Sequence, residues 1–220
     1  MKNNNFKKKM SNIHSVLKLY DKQADSYDVR NYMMERIFSK GRKIFARLKG
    51  EILEVGAGTG LNLPYYGPHA QVTVFDWSPR MIFQAKLRTR NYNLKFIKNF
   101  VIGDIQELNK HFSEASFDYI TSTCVFCSVP DPVRGLKELA KVLKPSGRLV
   151  QIEHGISYFK PINLFLGLFD IITTKLLGFH LTRNTITNLE KSGFKVLYEI
   201  PLDRFGIVRL IVSELKPQVI

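Results

Sequence analysis

Three glycines, Gly56, Gly58 and Gly60, stand at alternate positions directly after the apolar run Ile52, Leu53 and Val55, with Glu54 just ahead of them. A glycine turn at the end of a buried strand lets the backbone approach a bound ligand, because no Cβ stands in the way. Twenty residues after Gly56, Asp76 closes the next apolar run (Val72, Val74, Phe75), and Trp77 follows it. A carboxylate at the tip of a neighbouring strand can accept both ribose hydroxyls of a nucleoside. Together these are two halves of a nucleoside site, although the glycines alone would also serve an ordinary strand-to-helix turn. The spacing is G-x-G-x-G, whereas G-x-G-x-x-G seats a pyrophosphate on a helix N-terminus. Glu54 beside the turn would repel a pyrophosphate and suits a ligand bearing an ammonium or sulfonium charge.

Further chemistry could sit at Thr123, at Cys124 and Cys127, and at the pair Glu153-His154, all at the carboxyl ends of expected strands. Open α/β sheets bind ligands at that edge. His154 could take a proton from an amine, hydroxyl or thiol, since imidazole titrates near neutrality, or it could only shape the pocket. Cys124 and Cys127 lack the second ligand pair that a tetrahedral zinc requires, and they do not follow the first strand as a thioredoxin-like pair would. No metal is assigned; two small cysteines near a cofactor is the preferred account.

Strands and helices must alternate to place these groups. Residues 1–10 are rich in Asn and Lys and expected to be disordered. From Ile13 the apolar positions Val16, Leu17, Tyr20, Ala24 and Tyr27 recur at helical spacing and predict an amphipathic helix with Lys18 and Lys22 on its polar face. A second helix is expected over residues 32–48. Beyond the glycine strand and the Asp76 strand, strands are expected at residues 94–102, 117–123, 148–153, 195–200 and 207–213. Helices are expected from Ser78-Pro79 to about Arg90, over residues 132–143 and near 182–191. Asp104 reads as the N-cap of a helix that follows at once. This alternation predicts an α/β fold, a Rossmann-like doubly wound sheet of seven strands. The link Asp203 to Gly206 is too short for a parallel crossover, so the last two strands must form an antiparallel hairpin.

The 220 residues suit one ordinary domain, with 45% apolar and 24% charged residues. Residues 1–48 are expected to form basic amphipathic helices, a lid or membrane contact, and residues 49–220 the ligand-binding unit. The net charge is +14, and residues 1–50 carry 13 Lys and Arg against 4 Asp and Glu. Such an excess points to an anionic surface, either membrane headgroups or nucleic acid, unless it is simply a solvated basic surface. Residues 1–10 are too polar for a secretory signal, which, with two cysteines, suggests a reducing cytoplasm. Residues 156–179 are the most hydrophobic stretch, broken by Lys160, Pro161, Asp170 and Lys175 and short of the ~20 apolar residues of a spanning helix.

The segment Glu54-Val-Gly-Ala-Gly-Thr-Gly60, with Asp76 at its offset, resembles the first motif of the class I S-adenosylmethionine-dependent methyltransferases. So does the block from Phe117-Asp-Tyr through Pro130-Asp-Pro to Val142-Leu-Lys-Pro-Ser-Gly147, in which Ser146 replaces a more usual glycine. Tyr20-Asp-Lys-Gln-Ala-Asp-Ser-Tyr27-Asp28 resembles the opening of lipid and quinone methyltransferases. The resemblance covers about residues 20–215. It implies S-adenosylmethionine as cofactor and S-adenosylhomocysteine as product, with Glu54, Gly56, Gly58 and Gly60 under the methionine part. It further implies Asp76 and Trp77 at the ribose, Gly103, Asp104 and Ile105 at the adenine, Thr123 alongside, and a tyrosine from Tyr20 or Tyr27 at the methionine carboxylate.

The run from Thr123 to Pro132, the pair Glu153-His154 and the later His180 to Phe194 resemble the bacterial phospholipid N-methyltransferases and the membrane-associated thiol methyltransferases. The expected acceptor is therefore amphiphilic, with the amine of phosphatidylethanolamine favoured and a thiol or a quinone carbon as alternatives. His154 would be the catalytic group. The expected partners are that lipid or apolar acceptor and an anionic membrane, met peripherally from the cytoplasm through the basic N-terminal helices; no obligate protein partner is evident. Nucleic acid is disfavoured, because Cys127-Ser-Val-Pro130 stands where a base-gripping Asn-Pro-Pro-Tyr would follow the fourth strand. A non-catalytic cofactor-binding adaptor is the remaining alternative.

Overall fold

Apolar runs without polar alternation become strands here because both of their faces are covered. The computed structural model describes residues 16–217, so the expected disorder of residues 1–10 and the helix start at Ile13 lie outside the described residues. Seven strands form one sheet: β1 (Gly50–Val55), β2 (Ala70–Asp76), β3 (Ile97–Ile102), β4 (Phe117–Thr123), β5 (Leu143–His154), β6 (Phe194–Pro201) and β7 (Val208–Leu215). Their order is β3-β2-β1-β4-β5-β7-β6, and only β7 runs against its neighbours. This is the expected Rossmann-like sheet, with the antiparallel C-terminal pair on one edge.

Helices cover both faces. They are α1 (residues 16–23), α2 (Tyr27–Arg42), α3 (Pro79–Asn91), α4 (Pro132–Val142), α5 (Lys160–Leu177) and α6 (Thr185–Lys191). Successive residues of β1 serve opposite cores: Ile52 joins Phe38 and Phe45 on one side, and Leu53 joins Leu136 and Leu139 of α4 on the other. The starts of three helices are fixed by side-chain caps, Ser78 for α3, Asp131 for α4 and Asn184 for α6, each accepting a backbone N–H three residues on.

Register brings the strand tips level. Val55 pairs with Phe75, Asp76 with Ile102 and Thr123 with Ile152, so the residues just beyond these pairs share one edge.

β3 and α6 each begin three residues later than expected, and four larger differences follow. The helix expected over residues 32–48 begins at Tyr27 and tightens into a 3-10 turn at Lys43–Arg47. The element after Asp104 is a 3-10 segment, Ile105–Lys110, broken at Glu107. β5 begins five residues early, because Leu143 already pairs with Phe117. The hydrophobic insert, for which no element was expected, is the 18-residue helix α5.

Candidate active site

The glycine loop is built from residues with positive φ: Gly56 at 58° and Gly58 at 55°. A Cβ on Gly56 would stand 2.4 Å from Val125, whereas one on Gly58 would meet nothing within 4 Å. The first position is therefore closed by packing and the second opens onto free space. Asp76 fixes that loop from the neighbouring strand. Its Oδ2 accepts the Gly58 amide at 2.8 Å, and its Oδ1 accepts the Ser78 amide at 2.9 Å. Burial pushes the Asp76 carboxyl up to about 6, opposed by the amides of Ser78, Gly58 and Trp77.

These groups border an open cavity whose walls include Asp76, Trp77, Gly103, Asp104, Ile105 and Thr123. Gly103 has no room for a side chain, since a Cβ would lie 2.4 Å from His111 Nε2. Asp104 caps the next turn by accepting the Gln106 amide at 2.8 Å, and it lines the cavity as well.

The N-terminal segment straps this cavity. Asp21 accepts from the Ser78 hydroxyl at 2.7 Å and the Arg80 amide at 3.1 Å. Asp25 pairs with Arg80 and takes a hydrogen bond from Gln84, while Asp28 pairs with Arg88 and accepts from Thr59 Oγ1 at 2.6 Å. On the opposite bank, the Tyr20 and Ser128 hydroxyls meet at 2.7 Å. Tyr20 and Tyr27 thus form a roof, and burial raises both phenols above their ordinary range.

A second open cavity adjoins the first. Tyr20, Tyr27, Gly56, Gly58, Thr123 and Cys124 belong to both walls. Its remaining wall is largely apolar, with Met34 and Phe38 from α2, then Phe179, Leu181 and Ile207. Polar groups enter it in pairs: Glu35 and Arg42 form a salt bridge, and the Arg42 Nε–H donates to Asn62 Oδ1. His154 is different. Its Nδ1 is buried and has no hydrogen-bond partner among the described residues, and its ring packs edge-on to Phe179 at 5.5 Å. Burial holds the imidazole neutral by pulling it down to about 4, against a small opposing effect of Asp170.

Beside it, Glu153 Oε1 accepts the amides of Val125 (3.0 Å) and Phe126 (3.3 Å), pinning the loop that carries both cysteines. Burial pushes Glu153 up to about 7, partly offset by those amides. Cys124 sits at φ 53° and Cys127 donates to the Cys124 carbonyl, and burial raises both thiols well above their ordinary range.

Residues 53–151 match the family described as Methyltransferase domain. The thiol S-methyltransferase TMT1A of Homo sapiens is 32% identical over 181 residues, 74% of this chain and 70% of that protein. The chain belongs to the class I S-adenosylmethionine-dependent methyltransferases. This methyltransferase is also 32% identical to the quinone C-methyltransferase UbiE of Rickettsia felis, over 77% of this chain and 72% of that one. With the phosphatidylethanolamine N-methyltransferase of Cereibacter sphaeroides it shares 34% identity over 48% of its own length and 51% of the relative's. The match spans only 35% of the length of a mitochondrial methyltransferase of Saccharomyces cerevisiae, at 30% identity. Among solved structures, a chain in complex with the Haloferax volcanii Trm112 methyltransferase activator superposes with a TM-score of 0.72, covering 90% of this chain and 98% of that one at 17% identity. The cofactor of the methyltransferase is S-adenosylmethionine.

Most residues expected at the cofactor gather at the first cavity: Tyr20, Tyr27, Gly56, Gly58, Asp76, Trp77, Gly103, Asp104, Ile105 and Thr123. Two do not. Glu54 was expected beside the cofactor's charge, but its side chain is fully buried and turned away from both cavities. It accepts from Asn62, Tyr66 and Thr121, and burial raises its carboxyl against those bonds. Three donors occupy most of the acceptor sites of this buried carboxylate, which lines neither cavity. Gly60 likewise packs on Ala85 and Leu63, outside both walls. The methyltransferase also uses residues that the sequence did not reveal. Ser128 anchors the roof, and α2 and the segment following α5 supply Phe38 and Phe179 to the second cavity. His180, which was given no role of its own from the sequence, bonds Asp170 through Nδ1 at 3.0 Å and the Cys127 carbonyl through its amide at 2.9 Å.

Proposed function

We propose that the methyltransferase moves a methyl group from S-adenosylmethionine to a membrane-associated amphiphilic acceptor in the second cavity, with the amine of phosphatidylethanolamine favoured. The observation that carries this reading is the wall common to the two cavities, formed by six residues from the roof, the glycine loop and the end of β4. The residues present suit the cofactor: Gly58 leaves open space, Asp76 offers a carboxylate to the ribose, and Asp104 and Ile105 border the adenine position. Bound there, the cofactor supplies an activated methyl on a sulfonium. The chain's own residues hold its nucleoside, roof it with Tyr20 and Tyr27, keep water away and align the acceptor's lone pair.

The electrostatics of the second cavity support an amine over a thiol. An apolar wall that drives the His154 imidazolium to neutrality would do the same to an alkylammonium, exposing the lone pair that must attack. The same wall raises the cysteine thiols, so a thiol acceptor would be held in its less nucleophilic protonated form. Transfer of the methyl to a neutral primary amine would form the N–C bond as the methyl–sulfur bond breaks, giving a secondary ammonium that carries two protons and releases one to water. His154, which lines the second cavity, is the group placed to orient the incoming amine. In this reading the enzyme is peripheral to the cytoplasmic face of the membrane.

A thiol acceptor is the second reading, favoured by the length of the match to TMT1A, 74% of this chain. Transfer of labelled methyl separates the two when the protein is given phosphatidylethanolamine vesicles, an alkyl thiol and a quinone. Label in the phospholipid headgroup is expected; label confined to the thiol or the quinone would sink the amine reading.

A further inference from the structure

Helix α5 is amphipathic with its polarity inverted. It is 18 residues long and buries none of them. Its outward residues include Leu164 (70% exposed), Phe165 (61%), Leu168 (64%), Ile171 (62%) and Leu176 (66%). The side turned to the protein carries the polar groups instead. Asn163 accepts from the Ser157 amide, Asp170 accepts from the Thr182 amide and bonds His180, and Thr174 bonds His180. A helix packed on a core would present the opposite arrangement to water. An apolar surface of this extent is rare on a monomer that meets water alone.

The flanks of this face are basic. Exposed Lys160 and Lys175 stand near the two ends of α5. A Cβ on Gly178, just after α5, would lie 3.2 Å from Leu19 and 3.5 Å from Val16 of α1, and α1 exposes Lys18 and Lys22. A second apolar stripe, Val29 (82% exposed), Tyr32 (70%) and Met33 (82%), runs along α2 and continues into Arg36 and Lys40. Apolar centre and cationic border match a bilayer surface, with acyl chains within and anionic headgroups at the rim. α2 walls the second cavity through Met34 and Phe38, and the segment that follows α5 walls it through Phe179 and Leu181. No described helix is long and apolar enough to cross a membrane.

We propose that α5, with the Val29–Met33 stripe of α2, lies in the bilayer interface as a docking surface and brings the second cavity to the lipid. The partner is the bilayer itself, engaged by apolar insertion and not by surface charge alone. What enters the cavity rests on the reading of that cavity as the acceptor site; the docking does not.

The test is flotation of the full chain with phosphatidylcholine vesicles, with and without phosphatidylglycerol, at low and high salt. Variants Phe165→Glu and Ile172→Glu are compared with Phe83→Glu, an exposed position on α3. Cofactor affinity, read from Trp77, the one tryptophan of the chain, reports folding in each. Wild type is expected to float on phosphatidylcholine even in high salt, where charge attraction is screened. Each α5 variant should lose roughly tenfold in partitioning, the scale of withdrawing one large apolar side chain from lipid, with cofactor affinity and Phe83→Glu unchanged. Equal flotation of the α5 variants and wild type would overturn the proposal. So would a wild-type dimer that the α5 variants dissociate without altering flotation, since a second copy would then own the face. Lost flotation together with label only in a soluble thiol would uphold the docking while refuting the lipid-amine acceptor.

Discussion

The carboxylate of Asp76 holds the Gly58 amide at 2.8 Å across two strands, so the tip of β2 sets the shape of the loop leaving β1. One group therefore serves two purposes in the proposed site, loop geometry and ribose recognition. Asp76→Ala should lower cofactor affinity by about a hundredfold or more, because it leaves the Gly58 and Ser78 amides unpaired as well as removing the ribose acceptor. Asp76→Asn keeps one acceptor oxygen and should lose about tenfold. Calorimetric titration with S-adenosylhomocysteine checks both, and equal affinity in Asp76→Ala would place the nucleoside elsewhere.

The roof should govern how long the cofactor stays. Tyr20→Phe deletes the hydroxyl contact to Ser128 and should speed cofactor release several-fold, the effect of about 1 kcal/mol, with little change in thermal stability. Arg88→Gln, which breaks the pairing with Asp28 at the glycine loop, should act in the same direction, and high salt should narrow its difference from wild type. Stopped-flow Trp77 fluorescence gives the rate; an unaltered release rate in both variants would mean that the strap does not close the cavity.

How far the sequence foretold this arrangement depends on the kind of signal. Strand tips were legible because a buried strand followed by glycine or a lone carboxylate is a local pattern, as at Val55-Gly56 and Phe75-Asp76. The place of Glu54 in the core could not be read because its position beside the loop says nothing about which face of β1 it occupies, and its partners come from two separate stretches, Asn62 with Tyr66 and then Thr121. The second cavity was illegible for the same reason: Phe38, His154, Phe179 and Ile207 converge only through the fold. The insert read as hydrophobic, but its direction could not be read, since burial and lipid contact favour the same residue types.

Glu153 should make stability depend on pH. Its folded carboxyl titrates near 7 and an unfolded glutamate near 4.5, so the protonated form is favoured in the fold. Its contribution is complete below about 4.5 and is lost as pH rises through about 7, a loss on the order of 3 kcal/mol. Glu153→Gln keeps an acceptor for Val125 and Phe126 and cannot ionise, so its stability relative to wild type should improve across that window. Glu153→Ala leaves both amides unpaired and should cost about 2 kcal/mol below about pH 4.5; it cannot ionise either, so its deficit relative to wild type should shrink across the same window. Chemical denaturation at a series of pH values would contradict this if the wild-type and Gln curves stayed parallel.

His154 has the opposite sign. Its folded value near 4 lies below the ordinary 6.5, so its contribution is present above about 6.5 and fades as pH falls toward 4. Its protonation therefore cannot shape the activity profile between pH 6 and 8. His154→Ala should lower kcat by about tenfold to a hundredfold and leave cofactor affinity as it was. An unchanged kcat would reduce His154 to a wall of the pocket.

The sheet order has a consequence for how the chain is made. β7 lies between β5 and β6, yet it is the last of the seven strands in sequence. During synthesis β6 emerges with nothing to bond to, and the edge of β5 stays open until Val208–Leu215 arrive. The nascent protein thus carries two unpaired edges and the apolar α5 at once, the combination most exposed to misassociation. A chain stopped before Val208 forfeits two strands, not one.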